Sequence, residues 1–345
     1  MQNRNLNNFL FVMVLGTAIG ALYGYLVEDL VVYGLGVKAL FIGALRGAAV
    51  VICALWLSFL VSSTPVESWL RMLPFSQAVV LRSLLLTLVL LLALVTSHLG
   101  LTMLFIEDKG LYLQWLQGSM VRDFFVAAAT GFVIQILLQA RRLIGARTLR
   151  NFVFGRYARP IREKRIFVLG DMMASTEMAE KLGDERALEL ISRFYLDIDP
   201  AISKHGGEIH NYIGDEVVLS WPLREPRSNA AVIACIHDMQ TIIAARWPFY
   251  LKSFGVAPDM RFGVAGGFVA VGECGWEKRQ VLHIGDTINT AKRLQEHCKI
   301  TGDRVLIDAE TAGHIRLPSK LFWRDAGETQ LRGRSGTTQL MSFTR

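Results

Sequence analysis

Three short polar motifs in the second half of the chain carry the residue types needed for phosphate chemistry. Asp171 closes an apolar run in Arg-Ile-Phe-Val-Leu-Gly-Asp-Met-Met-Ala-Ser-Thr-Glu, and Asp215 sits in Tyr-Ile-Gly-Asp-Glu-Val between two further apolar runs. Two carboxylates at strand edges make an oxygen seat for paired divalent cations, and paired cations are how proteins handle triphosphates. The third motif, Ile-Gly-Asp-Thr-Ile-Asn-Thr-Ala-Lys-Arg-Leu, places Asn289 and Arg293 four residues apart, on one face of a helix. Taken singly, each has a plain structural reading: Asp215 as a turn residue after glycine, Asn289 and Arg293 as a polar helix face.

Periodicity supplies the elements that would position these residues. Strands are predicted at 166–169, 208–213, 217–221, 260–265, 269–271, 281–284, 305–307 and 321–323, and helices over 176–203, 229–247 and 286–297. This order fits an α+β, ferredoxin-like β-α-β-β-α-β arrangement. Asp171 then ends the first strand and Asp215 caps the hairpin of the second and third, so the two carboxylates meet at one sheet edge. Gly170 and the loop 172–175 would offer backbone N–H groups to a phosphate chain.

The first half has a different composition. Of 345 residues 52% are hydrophobic and only 19% charged, and the excess lies before residue 140, in apolar stretches near 9–27, 39–61, 78–97 and 120–138. Each is long enough to cross a hydrocarbon core about 30 Å thick at about 1.5 Å per residue. A bundle of about four transmembrane helices is therefore expected over 1–140. A cleaved signal peptide fits the first stretch poorly, because three more spans follow it. Arg4, Arg71, Arg141, Arg142, Arg147 and Arg150 fall on one side of these spans and Glu28, Asp29, Glu107 and Asp108 on the other. Positive-inside logic puts both termini, and the second half, on the cytoplasmic side of a cell (inner) membrane. A guanidinium buried in lipid is costly and often functional, but Arg46 and Arg82 lie near span ends, and the expectation favoured for both is snorkelling toward headgroups. His98 is the only histidine before residue 140, which excludes a bis-histidine haem within one chain's bundle.

A basic segment, 141–163, links this bundle to the domain at 164–345 and accounts for much of the net charge of +7. Beside a membrane, such arginines suit anionic headgroups better than nucleic acid. The four cysteines have no C-x-x-C spacing, so neither a disulfide framework nor a zinc site is expected.

Together the three motifs resemble those of the class III nucleotidyl cyclase catalytic domain over residues 165–345. The first is similar to the family's Phe-x-Asp-Ile-x-Gly-Phe-Thr-x-Leu-x-Glu, with Ala174 and Ser175 replacing its Gly and Phe, and the second and third match closely. The resemblance implies that Asp171 and Asp215 bind two Mg²⁺ or Mn²⁺ ions, that Asn289 orients the ribose and that Arg293 stabilises charge at the α-phosphoryl group. It also implies Arg334, with Arg332 as a fallback, on the terminal phosphates. In the family the metal pair and the Asn/Arg pair come from different subunits, so a homodimer is expected. At the base-reading positions stand Asn211, which can donate and accept, and Leu282, which can do neither, followed by His283. ATP is the substrate this reading favours, giving 3′,5′-cyclic AMP; a guanylate cyclase, or a membrane receptor whose nucleotide-binding module is catalytically weak, are the alternatives. Short loops between spans leave a lipid-soluble molecule or a membrane partner as the signal, if there is one.

Overall fold

The computed structural model describes residues 155–224, 226–277, 279–330 and 336–344, the helix Phe75–Phe105, and scattered positions elsewhere before 155. It divides into two units, Met1–Ala146 and Arg147–Arg345.

In the first unit α1 (Phe75–Phe105) is a helix of 31 residues whose only charged side chain is Arg82. Val80, Leu84, Leu88 and Leu92 repeat every four residues and are exposed, whereas Val79, Arg82, Ser83, Leu86 and Leu90 are buried. The helix thus turns a leucine stripe outward and Arg82 and Ser83 inward. Arg82 is only 9% exposed and is enclosed within the unit. Helical residues at 17–23 meet those at 43–45 and 47–49 through glycines: a Cβ on Gly20 would lie 2.5 Å from both the carbonyl oxygen of Gly43 and Cα of Gly47. Among the described residues no helix is long and apolar enough to cross a membrane. Side chains of α1 are described at only part of its length, and much of the other three expected spans, with Arg46, lies outside the described residues.

The second unit is one eight-stranded sheet with helices on both faces. Its elements are β1 (Ile161–Met172), α2 (Ser175–Leu182), α3 (Asp184–Lys204), β2 (Glu208–Ile213), β3 (Glu216–Pro222), α4 (Pro226–Phe254), β4 (Met260–Cys274), β5 (Gln280–Ile284), α5 (Asp286–Thr301), β6 (Val305–Asp308), α6 (Ala309–Gly313), β7 (Phe322–Thr329) and β8 (Thr338–Thr344). Strand order is β2-β3-β1-β4-β6-β8-β7, with β5 folded back on the end of β4. The first four strands pair antiparallel in the ferredoxin-like order.

Alternation along β1 builds two cores. Ile166 and Val168 face the layer that includes Leu190, Phe194, Ile198, Val232, Ile236 and Tyr250 of α3 and α4. Phe167 and Leu169 face the opposite layer, with Ala291, Leu294 and Cys298 of α5. Three departures from the sequence reading have local causes. β1 begins at Ile161, inside the expected linker, because Arg162 and Lys164 lie over the ring of Phe268 at 4.1 and 4.8 Å and extend the pairing with β4. β4 is one strand of 15 residues where two were expected, since Gly266 and Gly267 pair straight through with Ile166 and Arg165. β8 carried too few apolar residues to be read as a strand, yet it joins β6 to β7. Cys235, Cys274 and Cys298 are free thiols.

Candidate active site

The sheet register brings the acidic motifs together. Asp171, one residue before the end of β1, pairs with Glu216 of β3 on one side and with Arg261 of β4 on the other. The β2–β3 hairpin turns on Gly214 and Asp215, with Gly214 at φ 62°, a conformation glycine adopts without strain. The N–H of Met172 donates to the carbonyl of Asp215 at 3.2 Å, clamping the hairpin tip to the end of β1. Tyr195 of α3 pins the same turn, its hydroxyl donating to the carbonyl of Gly214 at 3.0 Å. Burial first, and the charge of Asp215 next, push the Tyr195 phenol well up, so it remains a donor.

The Asp171 carboxyl is held above its ordinary range by burial and then by the charge of Asp215, close enough to share a hydrogen bond; Arg261 and Lys299 pull it back only in part. Nε of Arg261 stands 3.4 Å from Oδ2 of Asp171, and Nε2 of Gln295 donates to the same oxygen at 2.9 Å. Two acidic side chains are thus pressed together with too little positive charge nearby, which is what a cation seat demands. Among the described residues no cluster of three or more His, Cys, Asp or Glu side chains forms a closed metal cage. A pair of hard oxygen donors suits Mg²⁺ or Mn²⁺, ions that complete their shells with water and substrate phosphates.

Helix α5 lies very close on β4 because β4 presents glycines to it. A Cβ on Gly263 would fall 2.0 Å from the Ala291 carbonyl oxygen, and one on Gly267 would fall 2.6 Å from the hydroxyl oxygen of Thr287. The helix uses two faces about 100° apart, at 100° per residue. One carries Lys292, ion-paired with Glu216, together with Gln295 and Lys299, and addresses the carboxylates of its own chain. The other carries Asn289, which is exposed, and Arg293, whose Nη1 is buried without a hydrogen-bond partner among the described residues. No described hydrogen bond or ion pair joins Asn289 or Arg293 to Asp171 or Asp215 within the chain.

Of the loop amides expected to face phosphate, Met172 donates to Asp215 and Met173 to the carbonyl of Asp259 at 2.9 Å, so both are already used. Only the amides from Ala174 onward, at the start of α2, are left. Ala174 has φ 57° and is the only described non-glycine residue in the left-handed region. It occupies the position where the motif otherwise carries glycine.

At the other end of the same sheet face, the rings of His210 on β2 and His283 on β5 come within 4.2 Å, above Phe167. Asn211, exposed, and Leu282, 39% exposed, follow and precede this pair in the chain. Behind it the guanidinium of Arg165, 1% exposed, bonds Ser220 at 2.6 and 2.9 Å and ion-pairs with Glu163 at 3.1 Å and Glu208 at 2.8 Å. Burial first and Arg165 second push His283 down to about 4, so its imidazole is neutral. Arg332 and Arg334 lie outside the described residues. Sequence reasoning missed Gln295, Lys292, Arg261 and Tyr195. The one available signal was a glutamine on the apolar side of α5.

Comparison with known proteins gives a consistent picture. A family model described as the adenylate and guanylate cyclase catalytic domain matches residues 163–343. Adenylate cyclase 2 of Rhizobium meliloti is 32% identical over 218 residues, 63% of this chain and 60% of that protein. Adenylate cyclase 1 of the same bacterium is 25% identical over 48% of this chain, which takes in 25% of its own length. The chain therefore spans less than two thirds of the relatives it matches. A bacterial light-regulated adenylyl cyclase superposes with a TM-score of 0.53 at 19% identity, over 62% of this chain and 64% of that one, a likeness of fold.

Proposed function

Because the chain belongs to the adenylate and guanylate cyclase catalytic-domain family, we propose that it converts ATP to 3′,5′-cyclic AMP and pyrophosphate at a site assembled from two copies. One observation carries this reading: Asp171 and Asp215 converge, while Asn289 and Arg293 point from a different face of α5, with Nη1 of Arg293 unpaired among the described residues. Asp171 and Asp215 would hold two Mg²⁺ or Mn²⁺ ions. When bound, such ions lower the pKa of a coordinated hydroxyl and neutralise phosphate charge. The ribose 3′ oxygen bonds to the α-phosphorus as the bond to the β-phosphate oxygen breaks, pyrophosphate departs, and the 3′-hydroxyl proton passes to solvent. Arg293 of the second copy stabilises the charge that grows on the α-phosphoryl oxygens, and Asn289 holds the ribose in line. Arg334, or Arg332, would meet the terminal phosphates, and Asn211, Leu282 and His283 would border the base. ATP and GTP assayed side by side on the purified full-length chain, with Mn²⁺ or Mg²⁺ and an Asp171→Ala control, test this. Faster turnover of GTP, or of neither nucleotide, rejects it.

The same reading places the first unit in a bilayer as a bundle of about four spans, with the catalytic domain and both termini on the cytoplasmic face. The outward leucine stripe of α1, its enclosed Arg82 and Ser83, and the glycine contact of Gly20 with Gly43 and Gly47 support it, because membrane helices pack through small residues and turn apolar ones to lipid. The bundle would anchor the dimer and receive a lipid-soluble or membrane-borne signal. Alkaline carbonate washing of membranes should leave the chain in the pellet, and its release would contradict this placement.

A further inference from the structure

Gln295 is 1% exposed and sits on the inward side of α5 beside Ala291, Leu294 and Cys298. Its backbone is held tightly against β4: a Cβ on Gly263 would lie 2.3 Å from the nitrogen of Gln295 and 2.8 Å from its Cβ. From that fixed root the side chain reaches Asp171, Nε2 donating to Oδ2 at 2.9 Å. A carboxylate only accepts, so the amide must present its nitrogen. Its Oε1 is buried with no partner among the described residues. A primary amide on a buried helix face is unfavourable unless its bonds are made, and here the one bond made is to a cation ligand.

We propose that Gln295 is a positioning residue for Asp171, and that α5 thereby ties the two sites of the dimer, fixing the cation carboxylate of its own chain while presenting Asn289 and Arg293 to the partner's site. This rests on the two-chain cyclase reading. The amide stops rotation of the carboxylate, so a cation meets a preset oxygen. Partners of this kind contribute about 10- to 100-fold to metal affinity.

The test uses full-length wild type, Gln295→Met, which keeps the length and packing without a donor, and Gln295→Asn, whose amide is too short to reach. Mn²⁺ binding is read from the free-ion EPR signal in the presence of α,β-methylene-ATP, which cannot release pyrophosphate. Both variants should melt near wild type and bind Mn²⁺ about 10-fold or more weakly, with KM for ATP at saturating metal nearly unchanged. A folded variant that binds Mn²⁺ as tightly as wild type overturns the proposal, as does a wild type that binds none. A mixed dimer of Arg293→Ala and Asp171→Ala chains retains one complete site. Adding Gln295→Met to the chain that supplies Asp171 should lower its activity at limiting metal, and adding it to the other chain should not; equal effects overturn the tie between sites. If the two chains fail to complement at all, the dimer reading fails with the tie, and Mn²⁺ binding alone then decides the role of Gln295.

Discussion

Replacing Gly263 by alanine should disable the site from a position that touches no substrate. The new Cβ would fall 2.0 Å from the carbonyl oxygen of Ala291 and 2.3 Å from the nitrogen of Gln295, where real contacts stop near 3.0 Å. Both are helix backbone atoms, so no rotamer change relieves the overlap, and α5 must retreat from β4 by about 1 Å. Overpacking of this kind destabilises by about 1–3 kcal/mol, offset by about 0.5–1 kcal/mol because alanine suits a strand better than glycine. A net loss of roughly 1–2 kcal/mol lowers the melting temperature of a unit this size by about 2–8 °C. Activity should fall far more. A shift of 1 Å carries Arg293 off the α-phosphoryl group and lengthens the bond from Gln295 to Asp171, and misplacement on that scale costs about 100-fold in rate. Gly313→Ala is the control, since a Cβ there would meet nothing within 4 Å. Cyclic nucleotide formation and thermal melts on both variants decide it. A Gly263→Ala protein that keeps a third or more of wild-type turnover, or loses it only in step with unfolding, refutes the reasoning.

Ala174 is held at φ 57°, which disfavours an L-residue by about 1–2 kcal/mol, so Ala174→Gly should raise the melting temperature by a few degrees; an unchanged or lower value contradicts the strain. The Asp171 carboxyl is raised by burial and by Asp215, so it favours the fold when protonated and loses that contribution as pH rises through its folded pKa. Asp171→Asn should therefore melt higher than wild type at pH 7 without metal while abolishing turnover, and a lower melt would count against a crowded acidic pair. His283 is depressed to about 4, so the neutral ring favours the fold above about 6.5 and that contribution, about 3 kcal/mol, drains away as pH falls toward 4. Calorimetry should find this acid slope flattened in His283→Phe. Arg165→Met removes a buried guanidinium that pairs with Glu163 and Glu208 and bonds Ser220, and breaking a buried ion pair in this way should destabilise by about 3–5 kcal/mol, read by denaturant unfolding.

What the sequence disclosed depended on range. Asp171 was legible because an apolar run stops at it, and Asp215 because Ile-Gly-Asp between two apolar runs reads as a tight hairpin turn. The helix bearing Asn289 and Arg293 was legible from its spacing. Gln295 was not, because nothing in a one-dimensional pattern says which strand lies under a helix; the glycines of β4 that draw α5 inward acquire meaning only with the sheet register. The meeting of His210 and His283 depends on the curl of a sheet whose β2 and β5 lie several strands apart.

The central claim, ATP cyclisation at a site shared by two chains, is tested most directly by complementation. Asp171→Ala and Arg293→Ala chains, separately tagged and each inactive alone, are co-expressed in equal amounts and assayed with ATP. Random pairing makes half the dimers mixed, each with one complete site of two, so about a quarter of wild-type activity should return. A mixture as inactive as its parents, or appreciable cyclic AMP from either parent alone, would contradict the account.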